Sequence, residues 1–206
     1  MDIKIPYTPR KHQAYLHRQI DNHRWNVLVC HRRFGKTVCM INHLIKSALM
    51  CKHKNPRFAY IAPTFKQAKS IAWDYMKQFT AKIPATKFNE TELRVDLPNG
   101  ARITLLGAEN SDGLRGIYLD GCVIDEYANI EGKLFAEIIR PALSDRKGYC
   151  VFIGTPAGMN NNFYDLYQHA NGAEDWFNYK AKASQTNIVD PEELEKAKEV
   201  MGEKKY

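Results

Sequence analysis

No stretch of apolar residues in this sequence approaches the roughly 18 needed to cross a bilayer, so no membrane span is expected. The first residues, Met1-Asp-Ile-Lys-Ile-Pro-Tyr7, contain no apolar segment of the kind a secretory signal carries. Cysteine is sparse and badly arranged for cross-linking. The five cysteines are an odd number and include no CxxC pair, and most sit in apolar runs such as Val-Leu-Val-Cys30. That argues for reduced thiols in a cytoplasmic protein, not a disulfide framework. Cys51 and His53 are spaced like metal ligands, but no second pair follows in sequence, so a zinc site is not expected. Internal repeats and low-complexity linkers are also missing, which excludes solenoid and disordered architectures.

What is present describes one well-filled domain. The 206 residues are 44% hydrophobic and 26% charged, enough to bury a core without staples. Lys and Arg number 30 against 23 Asp and Glu, a formal charge of +7 that favours a polyanionic partner, nucleic acid first. Apolar strands alternate with helical periodicity along the chain. Asn26–Cys30, Phe58–Ala62, Gly121–Ile124 and Tyr149–Ile153 read as buried strands. Lys36–Met50, Lys66–Thr80 and Lys133–Leu143 read as helices. Leu93–Leu97 and Ala101–Leu106 alternate around Pro98-Asn99-Gly100, a hairpin pattern. Asp190, Pro191 and Glu193 have the order of a helix N-terminus. Together these predict an α/β fold with a mostly parallel central sheet flanked by helices, and an antiparallel hairpin at one edge.

Three strand ends carry chemistry. Cys30-His31-Arg32-Arg33-Phe34-Gly35-Lys36-Thr37 follows a strand and opens a helix, the context a phosphate-binding loop requires. Backbone N–H groups of Arg32, Arg33, Phe34 and Gly35 and the helix dipole would face phosphates, Lys36 would reach the β/γ-phosphates, and Thr37 would bind Mg2+. The first glycine of the generic pattern is replaced by Cys30, and a basic strand-to-helix turn without a ligand would also fit. Cys122-Val-Ile-Asp125-Glu126 ends a second strand with two acids. Asp125 would hold Mg2+ through water and Glu126 would act as general base toward an attacking water. A third end, Gly154-Thr155-Pro156, places a hydroxyl where it could sense the γ-phosphate; alone it reads as an ordinary turn. Two further segments stand near these. Gln13 could pair with the adenine edge and Tyr7 could stack on the ring, although Gln13 also suits a helix surface. Arg115 lies between Gly113-Leu114 and Gly116, placed to reach outward or simply to occupy a turn.

In this order the segments resemble the ATPase domain of the large terminase subunit of tailed bacteriophages, the motor that packages DNA into a procapsid. The arginine-bearing loop CHRRFGKT and the acidic strand VIDE are its most specific marks, with IAPTFKQAKSI at Ile61–Ile71, LRG at Leu114–Gly116 and GTPAG at Gly154–Gly158 beside them. The resemblance implies a P-loop NTPase of the additional-strand, catalytic-glutamate type. ATP and Mg2+ are its implied cofactors, and ATP hydrolysis coupled to translocation of double-stranded DNA its implied activity. It assigns Gln13, with Tyr7 and Pro9, to the adenine side, and Arg32 to the loop position where the family carries arginine. Arg33 beside it is less typical. The finger that completes the transition state is either Arg32 in cis or Arg115 in trans. Implied partners are the portal protein, the small terminase subunit and further copies in a ring, a pentamer, with the isolated chain monomeric and no membrane involved. The implied location is the host cytoplasm. Residues 1–185 are expected to form the ATPase domain and 186–206 the start of a linker to a nuclease domain, whose acidic cluster this sequence does not contain. Two other readings compete: a superfamily 2-type helicase or translocase core, and a non-catalytic DNA-binding module on a P-loop scaffold.

Overall fold

The structure is a computed structural model that describes residues 4–186, 188–190, 192, 193 and 196. Helix α1 (Lys11–Asn22) leads into β1 (Trp25–Cys30), which feeds α2 (Lys36–Met50) and then β2 (Arg57–Ala62). Next, α3 (Phe65–Ala68) passes through a π-helical turn (Lys69–Trp73) into α4 (Asp74–Thr80). Three strands follow: β3 (Lys87–Asn89), β4 (Arg94–Asp96) and β5 (Arg102–Gly107). A 3-10 turn (Asp112–Leu114) precedes β6 (Gly121–Asp125), and a second one (Tyr127–Asn129) follows it. The chain then runs through a π turn (Phe135–Ile139), α5 (Arg140–Ser144), β7 (Tyr149–Gly154), α6 (Asn162–His169), β8 (Trp176–Ala181) and α7 (Ala183–Thr186).

All eight strands form one sheet in the order β3-β4-β5-β2-β6-β7-β1-β8. Strands β5 through β8 in that order are mutually parallel, while β4 pairs antiparallel with both β3 and β5. The expected edge hairpin is therefore present, extended outward by β3. Between β1 and β6 stands β7, the inserted strand of the additional-strand class. Helices cover both faces, which is why the inner strands read as unbroken apolar runs. Alternation sorts their side chains. Leu28 and Cys30 of β1, Val123 of β6, and Val151 and Ile153 of β7 pack with α1, α2 and α4. Trp25, Val27, Cys122, Ile124, Cys150 and Phe152 pack with α5 and α6 on the other face.

All five cysteines are free thiols, and four are buried; Cys122 and Cys150 face each other at 3.5 Å across β6 and β7. No helix among the described residues is long and apolar enough to cross a membrane. Pro191, central to the expected last helix, lies outside the described residues, while Asp190 Oδ1 accepts the Glu192 N–H at 2.9 Å.

Candidate nucleotide site

Strand register assembles the site. Val29 of β1 lies opposite Gly154 of β7, and Ile153 of β7 lies opposite Asp125 of β6. Three neighbouring parallel strands therefore end together, at the carboxyl edge where ligands bind in open α/β sheets. The loop after β1, the Asp125–Glu126 pair after β6 and Thr155 after β7 leave from that one edge.

The phosphate loop has the backbone its sequence requires. Gly35 caps α2 with φ 84° and ψ 36°, and Arg33 also has positive φ, 66°. A Cβ on residue 35 would stand 2.8 Å from Gln13 Nε2 and displace that amide, and the left-handed backbone itself calls for glycine. Gln13 is buried, and its amide nitrogen donates to the carbonyls of Phe34 (3.5 Å) and Gly35 (3.3 Å) while its oxygen accepts the Arg10 N–H at 3.0 Å. Arg10 adds a contact to the Phe34 carbonyl at 3.5 Å. In this structure α1 is thus a brace behind the loop. The Phe34 ring is fully buried, edge-on to His31, so Phe34 faces the site through its backbone. Tyr7 packs edge-on against His17 and Phe79, and its hydroxyl is 3.0 Å from His17 Nε2. Arg32 and Arg33 are exposed.

Behind the loop, His31 Nδ1 contacts the Arg32 carbonyl at 2.5 Å and its Nε2 contacts the Thr186 hydroxyl at 2.8 Å. Burial lowers the His31 pKa, partly opposed by the bond to the Arg32 carbonyl. This link fastens α7 beneath the phosphate loop.

Lys36, Asp125, Glu126 and Thr155 meet. Lys36 Nζ is 3.8 Å from Glu126 Oε1 and 3.5 Å from the Cys30 carbonyl. Glu126 Oε2 accepts from the Thr155 hydroxyl at 3.1 Å and the Thr155 N–H at 3.4 Å. Glu126 itself is left-handed, φ 47° and ψ 46°, a conformation rarely held by a non-glycine residue. It turns the chain sharply out of β6 and swings the carboxylate toward β7.

Asp125 is 4% exposed and its Oδ1 accepts the Glu126 N–H at 2.9 Å. Burial raises its pKa, opposed by a hydrogen bond that Tyr60 donates to Oδ2. The fully buried Tyr60 hydroxyl also lies near Thr37, whose side chain offsets a little of the rise that burial imposes on the Tyr60 pKa. One phenol thus bonds Asp125 and borders Thr37, the two oxygen donors that the sequence assigns to Mg2+. A hydroxyl and a carboxylate, both hard oxygen ligands, fit that ion. The sequence alone does not single out Tyr60, because inside FAYIA it reads as core. Its one signal is a hydroxyl in an otherwise apolar strand.

Arg115 is exposed, in the connection between the 3-10 turn Asp112–Leu114 and β6. That connection leaves the carboxyl end of β5, which β2, β6 and β7 separate from β1. Four strand spacings amount to about 19 Å. The carboxyl end of β5 is thus set to the side of the cluster around Lys36.

A mostly parallel sheet flanked by helices, with β7 inserted between β1 and β6 and with a glycine-bearing loop, a buried aspartate and a strand-end glutamate at its carboxyl edge, is an α/β fold of the P-loop type. The family model described as terminase large subunit, T4likevirus-type, N-terminal, matches residues 29–201. The chain belongs to that family. It is 31% identical to the terminase large subunit of Thermus virus P23-45 over 52% of this chain and 26% of that protein. It therefore aligns with about a quarter of the length of this curated relative. The large terminase ATPase domain of Thermus phage P74-26 superposes with a TM-score of 0.80 at 21% identity, covering 98% of this chain and 92% of that one. The large terminase of a thermophilic bacteriophage, solved in complex with ADP, superposes with a TM-score of 0.76 at 15% identity over 91% of this chain and 49% of that one.

Proposed function

We propose that this chain is the ATP-hydrolysing motor domain of a large terminase subunit, which drives double-stranded viral DNA into a procapsid. The observation that carries the reading is the meeting of Lys36, Asp125, Glu126 and Thr155 at three adjacent strand ends.

Each group then has one task. Backbone N–H groups of residues 32–36 and the start of α2 cradle the phosphates, with Arg33, Phe34 and Gly35 acting through the main chain. Lys36 leaves Glu126 and takes the β/γ-phosphates. Thr37, and Asp125 through water, would hold Mg2+, which would neutralise charge on the phosphate oxygens. Glu126 accepts a proton from the attacking water, and Thr155 aims it. Gln13 and Tyr7 border the adenine, so that base recognition and the shape of the loop share one brace. Arg32 serves as a ligand on its own subunit's phosphates and Arg115 as the finger offered to a neighbour.

The remaining assignments follow the same reading. The charge of +7 suits sequence-independent contacts with DNA phosphates, weakened by salt. A homo-oligomeric ring, a pentamer, would sit on the portal protein and receive DNA with the small terminase subunit, in the host cytoplasm. Residues 1–185 would be the motor and 186–206 the approach to a nuclease domain.

Calorimetry with ATP and Mg2+, followed by hydrolysis assays with and without double-stranded DNA, tests the proposal. Binding that requires Lys36 and turnover that rises with DNA and falls with salt are expected. ATP binding that survives Lys36→Ala unchanged would contradict it.

A further inference from the structure

Three different metal-ligating groups come together at the opposite edge of the sheet. Cys51 follows α2, His53 lies in the connection to β2, and Asp120 immediately precedes β6. The Cys51 sulfur, a His53 ring nitrogen and an Asp120 carboxylate oxygen all lie within 4.8 Å of one another. In sequence Cys51 and His53 lack a further ligand. Pairing of β2 with β6, with Phe58 opposite Gly121, supplies it from far along the chain.

We propose that Cys51, His53 and Asp120 bind a zinc ion, with water in the fourth position, and that the ion fastens the α2–β2 connection to the start of β6. The donor set is sulfur, nitrogen and oxygen, the mixture that four-coordinate zinc accepts and Mg2+ does not. Thiolate and carboxylate together carry two negative charges, which balance a divalent ion. Asp120 is already oriented: its side chain is 3% exposed and its Oδ2 accepts the Arg57 N–H at 2.7 Å. That bond leaves Oδ1 directed at His53, whose Nδ1 lies 2.5 Å away. A second-sphere donor of this kind is what fixes a ligating carboxylate in metal sites.

The ion would replace the direct contact between His53 Nδ1 and Asp120 Oδ1. Zinc bonds of about 2.0–2.3 Å separate tetrahedral ligand atoms by about 3.3–3.7 Å, so His53 must retreat by about 1 Å. Its side chain is 53% exposed on a connection, where that movement meets little resistance. Arg146 also faces Asp120, at 3.5 Å. It holds the Lys54 carbonyl at 3.0 Å and stacks on Tyr118 at 4.1 Å, contacts it keeps when the ion takes Oδ1. Asp120 and Asp125 lie at opposite ends of β6, about 17 Å apart at strand rise. The site is accordingly distinct from the nucleotide site, and its role is to hold the end of the helix whose other end carries Lys36.

Cobalt titration of the chelator-treated chain is the test. One Co2+ per chain is expected, with a thiolate charge-transfer band and the strong visible bands of four-coordinate cobalt. Zinc should displace it and excess Mg2+ should not. Cys51→Ser should abolish the charge-transfer band, and both Cys51→Ser and His53→Gln should weaken binding about tenfold or more. Zinc should raise the Tm of the wild type but not of Cys51→Ser. His53 is exposed and Cys51 half-buried against the core, so circular dichroism on both variants checks that they fold. Binding without a thiolate band, equal affinity in Cys51→Ser, or a zinc-dependent Tm rise that persists in that variant would overturn the proposal.

Discussion

The Thr155 hydroxyl donates to Glu126 Oε2 at 3.1 Å, joining the ends of two strands that are neighbours in the sheet. Glu126 is held between this hydroxyl and Lys36, with its backbone in the left-handed region. An energetically unfavourable conformation kept at a strand end points to a residue whose direction matters. In the proposed reading, ATP draws Lys36 away and leaves Thr155 as the group that aims the base. Thr155→Val preserves shape and removes the donor. Hydrogen bonds to charged groups contribute about 1.5–3 kcal/mol. ATP affinity should therefore stay within a few-fold of wild type while kcat falls about 10–100-fold. Loss of affinity with unchanged kcat, in parallel calorimetry and turnover assays, would assign Thr155 to binding instead.

Tyr60 should act on the acid side of the pH profile. Its hydroxyl lowers the Asp125 pKa against the upward push of burial. Tyr60→Phe removes that bond and leaves the ring in place, so Asp125 stays protonated to higher pH. Since the carboxylate is the form that holds Mg2+, the acid limb of kcat/KM should shift upward and the Mg2+ requirement should rise. An unshifted acid limb in a folded Tyr60→Phe variant would show that the phenol serves packing alone.

Acid stability should depend on the stacked imidazoles of α1 and α2. His17 and His43 contact at 3.0 Å through Nδ1 with rings 8° from parallel. Burial lowers the His17 pKa to about 4, with Lys46 lowering it further and Asp21 opposing, and burial also lowers that of His43. Both bind protons more readily when unfolded, so their neutral pairing is fully present above the unfolded pKa near 6.5 and is lost as pH falls toward 4. Tm should drop over that interval, and less steeply in His17→Gln. A flat Tm between pH 6.5 and 4 would contradict the assignment.

Much of this fold was legible because punctuation and period agreed. β1, β2, β6 and β7 are apolar runs stopped by loops, and Lys36–Met50 carries apolar residues at helical spacing, although the helix buries Cys39–Ile45 without a break, and Ala48. What escaped was the periphery. Strand β8, WFNYKA, buries only Ala181, so its pattern is neither a core run nor a clean alternation. Helix α1 buries Gln13 together with Leu16 and Ile20, and a polar core residue weakens the apolar stripe. In the site, residues at strand ends could be read from sequence because topology puts such ends together. Tyr60 and Asp120 could not, since each acquires its meaning only when β2 pairs with β6.

Two arginines compete for the finger. Arg115, exposed in the connection before β6, is the proposed trans group, and a finger in trans contributes about 10³–10⁵ in rate. Mixing two inactive variants, Arg115→Ala and Glu126→Gln, under assembling conditions should restore part of the activity. A Glu126→Gln subunit still offers its arginine to a neighbour with an intact base. Assembled mixtures with no recovery, or full activity of Arg115→Ala alone, would transfer the role to Arg32.

The central claim, that Glu126 is the base of an ATP-hydrolysing site, is tested most directly by Glu126→Gln assayed for binding and turnover side by side. The substitution keeps the shape and the contact with Thr155 but cannot take a proton. ATP should bind with affinity near that of the wild type, and hydrolysis should fall by about 10²-fold or more. A Glu126→Gln chain that hydrolyses ATP at the wild-type rate would contradict the account.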